Sequence, residues 1–332
     1  MLFIMDDAIL LADRNSNAWS FAGKIKDYIE NEKITHIFLG EVSINYFRNK
    51  EINMHVPENV RQKDVYFIHD SSKNPQDWWV DLLLIKDLLF SSSAKSVSFV
   101  LPDLLYSRQD RKDKPHVPIS ARALANSISL DLKRIITIDL HTAQVQGFYP
   151  SNIPIDNLYS FPEAIKYLRK NYFNDLENLV VVSPDVGGAN RAKAFLKRLE
   201  KAQLNDSIKQ KYSFALINKT RSAPGQISEM ELIGEVFGKN VLIVDDIIDS
   251  GGTLCSAADL LKEKKAENLF CYGTHGMFTK GTQEICDKFN IVMTSNTHYL
   301  NDDKVKVIDV SSIFAEAIYR AQVGDSISKL FE

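Results

Sequence analysis

Cysteine is scarce in this chain: Cys255, Cys271 and Cys286 are the only three in 332 residues. An odd number with no metal-ligand spacing argues against a disulfide framework or a structural zinc, and reads as reduced, mostly buried thiols of a cytoplasmic protein. Long apolar runs are missing too. None reaches transmembrane length, so no membrane partner is expected. The opening Met1-Leu-Phe-Ile-Met-Asp-Asp7 is too short and too soon acidic for a signal peptide. Neither sign of charge dominates: 40 Lys and Arg against 43 Asp and Glu leave a net charge of −3. That excludes a whole-chain nucleic-acid footprint and points to small-molecule partners handled by local basic clusters. His55, His69, His116, His275 and His298 show no metal spacing and read as structural. What is present is a 45% hydrophobic and 25% charged composition, which predicts a packed core, in a chain long enough for two domains.

Apolar strand-like runs alternate with helical patterns along the whole sequence. Strands are predicted at 36–39, 65–69, 96–101, 135–138, 179–183, 214–217, 241–244 and 269–273, and helices at 78–90, 119–128, 189–204 and 253–264. This alternation predicts an α/β fold with mainly parallel sheets, in which ligands bind beyond the carboxyl ends of the strands. The chemically rich segments fall at those ends. The two halves look alike at a coarse level. The expected division is an N-terminal domain over 1–160 and a C-terminal domain over 161–311, with an amphipathic segment at 312–332 packing back on the first.

The most informative stretch is Val241-Leu-Ile-Val-Asp-Asp-Ile-Ile-Asp-Ser-Gly-Gly-Thr253. A buried strand runs into Asp245 and Asp246, then Asp249, Ser250, Gly251, Gly252 and Thr253 lead into a helix. Turn amides and the helix N-terminus suit a phosphate. The carboxylates suit ribose hydroxyls, which donate hydrogen bonds to them. A capped Gly-rich turn explains the glycines but not three aspartates within five residues. A second cradle is Val182-Ser-Pro-Asp-Val-Gly-Gly-Ala-Asn-Arg191, where the two glycines let backbone N–H groups approach a diphosphate closely, or simply make a left-handed turn into a helix.

Other segments are weaker by themselves. Tyr106-Ser-Arg-Gln-Asp-Arg-Lys-Asp-Lys114 suits a polyphosphate and reads equally as a solvated loop. Asp139 and His141, two apart on an extended strand end, point the same way; they could share Mg²⁺, or one could meet phosphate-bound water. Asn218-Lys-Thr-Arg221, before Ser222-Ala-Pro-Gly-Gln226, reads as a basic loop able to close over a reacting phosphate, or as a plain surface loop. Tyr46-Phe-Arg-Asn-Lys-Glu-Ile-Asn53 could stack on a nucleobase or merely turn between strands. Trp78 and Trp79 read as core or subunit interface.

Taken together and in this order, from about Phe47 to the C-terminus, these segments resemble the ribose-phosphate diphosphokinase (phosphoribosyl pyrophosphate synthetase) family. The resemblance implies two phosphoribosyltransferase-like domains, the substrates ATP and ribose 5-phosphate, Mg²⁺ as cofactor, and a homo-oligomer built on dimers, up to a hexamer. It implies that Phe47, Asn49 and Glu51 hold adenine, usually across a subunit boundary, and that Arg108, Gln109 and Asp110 contact ATP. Asp139, His141 and Asp185 would sit at the metal, and Asp185, Gly187 and Gly188 would form the diphosphate loop. Lys219 and Arg221 would be the catalytic loop cations. Asp245, Asp246, Asp249, Ser250, Gly251, Gly252 and Thr253 would bind ribose 5-phosphate. Three stretches depart from the family's usual pattern: Phe-Arg-Asn-Lys-Glu at Phe47–Glu51, two extra residues between Phe148 and Asp156, and Asn-Lys-Thr-Arg at Asn218–Arg221. Two rival readings share part of this chemistry: a phosphoribosyltransferase that consumes phosphoribosyl diphosphate, and a non-catalytic regulatory homologue.

Overall fold

The computed structural model describes Met5 and residues 7–33, 35–204, 210–223 and 226–331, without the side chains at 173, 175, 220–223 and 226–229. The chain divides into two compact units. The first comprises residues 1–159, 297–299 and 310–332, and the second 160–296 and 300–309. Among the described residues no helix is long and apolar enough to cross a membrane.

Unit 1 holds the strands β1 (Ala8–Asp13), β2 (Phe38–Tyr46), β3 (Ile52–His55), β4 (Asp64–Ile68), β5 (Ser96–Val100), β6 (Arg134–Ile138) and β7 (Ile155–Leu158). They form one sheet in the order β3-β2-β1-β4-β5-β6-β7, parallel except for the β2–β3 hairpin. Its helices are α1 (Asn17–Lys33), α2 (Pro75–Ser91), α3 (Ser120–Ile128) and the C-terminal α8 (Ser311–Val323). Helix α1 buries Ala18, Phe21, Ala22, Ile25 and Ile29, the 3–4 spacing of one helical face. Phe314 of α8 meets Phe21 edge-on at 5.4 Å, and Lys33 pairs with Glu316 at 2.5 Å. Removing a side chain the size of Phe314 from water contributes ~1.5–3 kcal/mol, and this apolar contact ties α8 to unit 1.

Unit 2 holds β8 (Val180–Ser183), β9 (Ser213–Ala223), β10 (Gln226–Ile233), β11 (Val241–Ile248), β12 (Leu269–Gly276), β13 (Ile291–Ser295) and β14 (Val305–Ile308), with helices α4 (Phe161–Asn171), α5 (Ala189–Ala202), α6 (Gly252–Glu263) and α7 (Gln283–Lys288). The order β10-β9-β8-β11-β12-β13-β14 repeats that of unit 1 strand for strand, again with one antiparallel hairpin, β9–β10. Alternate residues of the central strands serve the two faces. Val180, Val182, Val241 and Ile243 pack with α6, while Val181, Leu242 and Val244 pack with α4 and α5. Covering both faces is why these strands read as continuous apolar runs.

The apolar-run pattern does not single out β1, β3, β7, β10, β13 or β14; β3, β7, β10 and β14 lie at or near the sheet edges, while β1 is an interior strand, buried throughout. The predicted strand 241–244 continues through both aspartates to Ile248, because β12 keeps pairing with it as far as Ile248↔Gly276. That pairing needs Gly273. A Cβ there would lie 2.4 Å from Cγ1 of Ile248 and 3.4 Å from its backbone nitrogen. Gly273→Ala is therefore expected to destabilise the fold by ~1–3 kcal/mol, the usual cost of overpacking, read as a lower urea midpoint at unchanged m-value.

Candidate active site

In a doubly wound sheet the ligand crevice opens where strand order reverses. In unit 2 that point lies between β8 and β11, and in unit 1 between β1 and β4. The two points have been built differently. In unit 1 the local groups satisfy one another. Asn17 donates its backbone N–H and side-chain amide to Asp70, both at 3.0 Å. Ser16 Oγ accepts from the N–H of Ala18, and Asn74 caps α2 through the N–H of Gln76. Lys73 lies 2.7 Å from Asp81 and 3.7 Å from Asp13. In unit 2 the caps of the two helices that follow β8 and β11 are glycines, Gly188 and Gly251, and neither helix has a side-chain cap. At α5 the N–H groups of Gly188 and Ala189 are taken by Asp185 Oδ1 and the Val186 carbonyl, and the first N–H groups of α6 are left for an anion.

The turn after β11 is fastened at its start. Ile248 C=O accepts from the N–H groups of Met277 and Phe278 at 2.8 and 3.1 Å. Asp249 accepts the Thr279 hydroxyl at 2.7 Å. Gly251, at φ +77°, takes the left-handed turn into α6. Ser250 and Gly252 are exposed and Thr253 half-buried, so the turn presents its amides to solvent. In the second cradle the Asp185 carboxylate accepts the N–H of Gly188 at 2.9 Å, and Ser183 donates to the Asp185 carbonyl. A Cβ on Gly188 would come within 3.0 Å of Ser183 Oγ.

Between the cradles stand the two carboxylates. Arg191, in the first turn of α5, reaches Asp246 at 2.9 Å and Asp245 at 3.5 Å. Sequence reasoning quoted this arginine but gave it no role, since its partners lie 54 residues away. Burial, and then the neighbouring Asp246 charge, hold the Asp245 carboxyl well above its ordinary range, against the pull of Arg191. Lys219 does not sit on a loop, contrary to the expectation for Asn218–Arg221. It lies within β9, in register with Met230 of β10. Its side chain is 4% exposed and lies 3.9 Å from the Asp185 carboxylate. The Pro224-Gly225 pair that suggested a loop lies outside the described residues. Arg221 shares the strand, and its side chain lies outside the described residues.

In unit 1, Arg108 and Gln109 are exposed. Gln109 accepts from the Ser120 hydroxyl. Asp110 accepts from the hydroxyl of Thr142 at 2.8 Å, joining this loop to the one after β6. Asp139 is not on an extended strand end as expected. It is buried with φ +47°, just past β6, so strand alternation does not decide how it sits relative to half-buried His141. Its N–H donates to the Leu158 carbonyl of β7 at 3.0 Å. Phe47, Asn49 and Glu51 lie on the exposed tip of the β2–β3 hairpin, closed by Phe47 N–H to Glu51 C=O at 2.8 Å and by Asn49 Oδ1 accepting from Glu51. Lys50 occupies the left-handed position at φ +72°. Trp78 is core, fully buried, whereas Trp79 meets the Tyr106 ring edge-on at 4.8 Å.

A parallel sheet whose switch point carries an acidic strand end, a Gly-rich turn and two glycine-capped helix N-termini defines a phosphoribosyltransferase-type α/β protein. Residues 154–313 match the phosphoribosyl transferase domain, and residues 11–130 the N-terminal domain of ribose phosphate pyrophosphokinase. The ribose-phosphate pyrophosphokinase of Brucella melitensis is 39% identical over 305 residues, 90% of this chain and 94% of that one. That of Rhizobium meliloti is 38% identical over 302 residues, 89% and 93%. Ribose-phosphate pyrophosphokinase 2 of Schizosaccharomyces pombe is 36% identical over 301 residues, 88% and 90%. The crystal structure of phosphoribosylpyrophosphate synthetase from Mycobacterium smegmatis superposes with a TM-score of 0.81 at 28% identity, over 96% of this chain and 100% of that one. The chain belongs to the ribose-phosphate pyrophosphokinase family.

The Asp245 environment has a measurable consequence. A carboxyl held above its unfolded value of 3.8 contributes stability that is fully present below that value and is lost as pH rises through the folded value. Asp245→Asn cannot ionise. At pH 7.5 it is expected to melt at a higher temperature than the parent, with the difference shrinking toward pH 4, while sugar binding is lost. A thermal scan at both pH values tests this; a lower melting point for the variant at pH 7.5 would contradict it.

Proposed function

We propose that this chain transfers the β,γ-diphosphoryl group of ATP to the anomeric hydroxyl of ribose 5-phosphate, giving phosphoribosyl diphosphate and AMP. The observation that carries this reading is the unit 2 switch point, where two glycine-capped helix N-termini flank a buried acidic pair. The 5-phosphate would sit on the Ser250–Thr253 amides and hydroxyls. Ribose hydroxyls would donate to Asp245 and Asp246, with Asp249 beside them. Asp185, Gly187 and Gly188 would receive the diphosphate. The anomeric oxygen attacks the β-phosphorus, and the bond from that phosphorus to the oxygen bridging to the α-phosphorus breaks, releasing AMP. Such chemistry needs alignment and charge stabilisation more than covalent help. Lys219, held within a strand, would supply fixed positive charge, and Arg221 would add to it.

ATP would be held by Arg108, Gln109 and Asp110, with adenine against Phe47, Asn49 and Glu51. Phe47 is 54% exposed and Tyr46 48% exposed. An aromatic hairpin tip left in water supports an assembly of at least two copies, in which it serves a neighbour. Three free thiols suit a reducing cytoplasm. Asp139 and His141 are the unit 1 candidates for Mg²⁺, and Asp185 that of unit 2. Among the described residues no third His, Cys, Asp or Glu of unit 1 closes on Asp139 and His141. So sparse a protein set fits an ion that keeps its waters and is carried largely by substrate phosphates, with the carboxylates preferred over the imidazole. When bound, Mg²⁺ would neutralise phosphate charge and polarise the β-phosphoryl group.

Incubation with ATP, ribose 5-phosphate and Mg²⁺ should yield AMP and phosphoribosyl diphosphate in equal amounts, and no AMP without the sugar. AMP release independent of the sugar, or none at all, would refute the reading. The cations give a second test. Lys219→Ala and Arg221→Ala are each expected to lower kcat by on the order of 10²–10³ with little change in either KM. Because Lys219 is buried in a strand, its variant should also melt earlier. A raised KM for ATP at unchanged kcat would instead make the pair a ground-state clamp.

A further inference from the structure

We propose that Arg191 is the positioning residue of the sugar subsite: one guanidinium holds Asp245 and Asp246 so that they accept the ribose hydroxyls, without itself touching the sugar. This rests on the assignment of ribose 5-phosphate to the acidic pair made above.

The geometry is specific. Arg191 stands three residues beyond the Gly188 cap, and a Cβ at that glycine would already lie 3.8 Å from Nη1 of Arg191. A single atom, Nη1, reaches Oδ1 of Asp246 at 2.9 Å and Oδ1 of Asp245 at 3.5 Å. The Asp245 Oδ1 also accepts the N–H of Asp246 at 2.9 Å. Oδ1 of Asp245 thus takes both the Arg191 contact and the N–H of Asp246. A sugar diol needs two acceptors at a fixed separation, yet two neighbouring carboxylates repel one another. A cation set between them removes the repulsion and fixes the separation.

A purely structural role explains this arrangement poorly. A buried ion pair is weak evidence for stability, because apolar residues of the same volume hold a fold as well or better. The cluster instead keeps two charges at a strand end that would be more stable without them. A planar, always-charged guanidinium can serve two carboxylates at once, and an ammonium offers only a point charge.

The test compares Arg191→Met, Arg191→Lys, Asp246→Asn and the double variant Arg191→Met with Asp246→Asn. Steady-state KM is measured for both substrates, and ribose 5-phosphate binding by calorimetry where turnover is too slow. Arg191→Met should raise KM for ribose 5-phosphate by ~10- to 100-fold, the loss of one charge-assisted contact made indirectly. KM for ATP should stay within about twofold, as expected for sites without shared partners. Arg191→Lys should recover part of the loss. Adding Asp246→Asn to Arg191→Met should cost less than in the parent, since the two act on one contact. Equal effects on both substrates, additive losses, or a lower melting point with sugar affinity intact would overturn the proposal. Unchanged sugar affinity in Asp246→Asn would overturn the sugar assignment itself, and the proposal with it. If Arg191→Met does not fold, Arg191→Lys decides: unchanged KM for ribose 5-phosphate refutes the positioning role, and a selective rise supports it.

Discussion

Two carboxylates at the end of a buried strand, one of them fully withdrawn from water, set the terms for the rest of unit 2. They need a cation, and Arg191 supplies it from α5. They need room for a ligand, so the helices on either side begin with glycine rather than with a side-chain cap. They need a strand that continues past them, which requires close approach of β12 and hence Gly273. Each feature is a local cost accepted for the same end. Sites that bind charge and present unsatisfied amides are commonly less stable than the fold could be without them.

The comparison with unit 1 shows what such a sheet does without that demand. The strand order is the same, and so is the position of the switch point. There, however, Asp70, Ser16 and Asn74 take up the helix N–H groups, and Lys73 is shared between Asp13 and Asp81. In the first crevice the local side chains take up these groups themselves. The unit 1 residues proposed for ATP lie elsewhere, on the exposed β2–β3 hairpin and on a loop joined to the one after β6 by the Thr142–Asp110 hydrogen bond. A repeated fold has therefore been put to two uses by changing caps and ion pairs rather than strands.

Short-range features explain what was legible beforehand. Apolar runs covered on both faces announce central parallel strands wherever they lie, and 3–4 spacing announces the helices that cover them. The acidic strand end with Ser250, Gly251, Gly252 and Thr253 is one contiguous segment, so its chemistry could be read without knowing the fold. The Asp139 and Lys219 expectations depended on local conformation and went astray. A left-handed residue after β6 undid the alternation assumed for Asp139 and His141. Lys219 lies within β9, paired with β10, rather than on a loop.

By itself, the sequence determined the α/β class, the segments that carry charge at strand ends, and the family to which they are similar, because each is a property of residues adjacent in the chain. Tertiary structure alone decided which of two equivalent crevices stays open. It also decided that Arg191 meets Asp245 and Asp246, that Lys219 is buried beside Asp185, and that Asp139 turns left-handed. The physical reason is distance along the chain: these are contacts between strand ends and helix starts tens of residues apart, and only the order in which the strands pair brings them together.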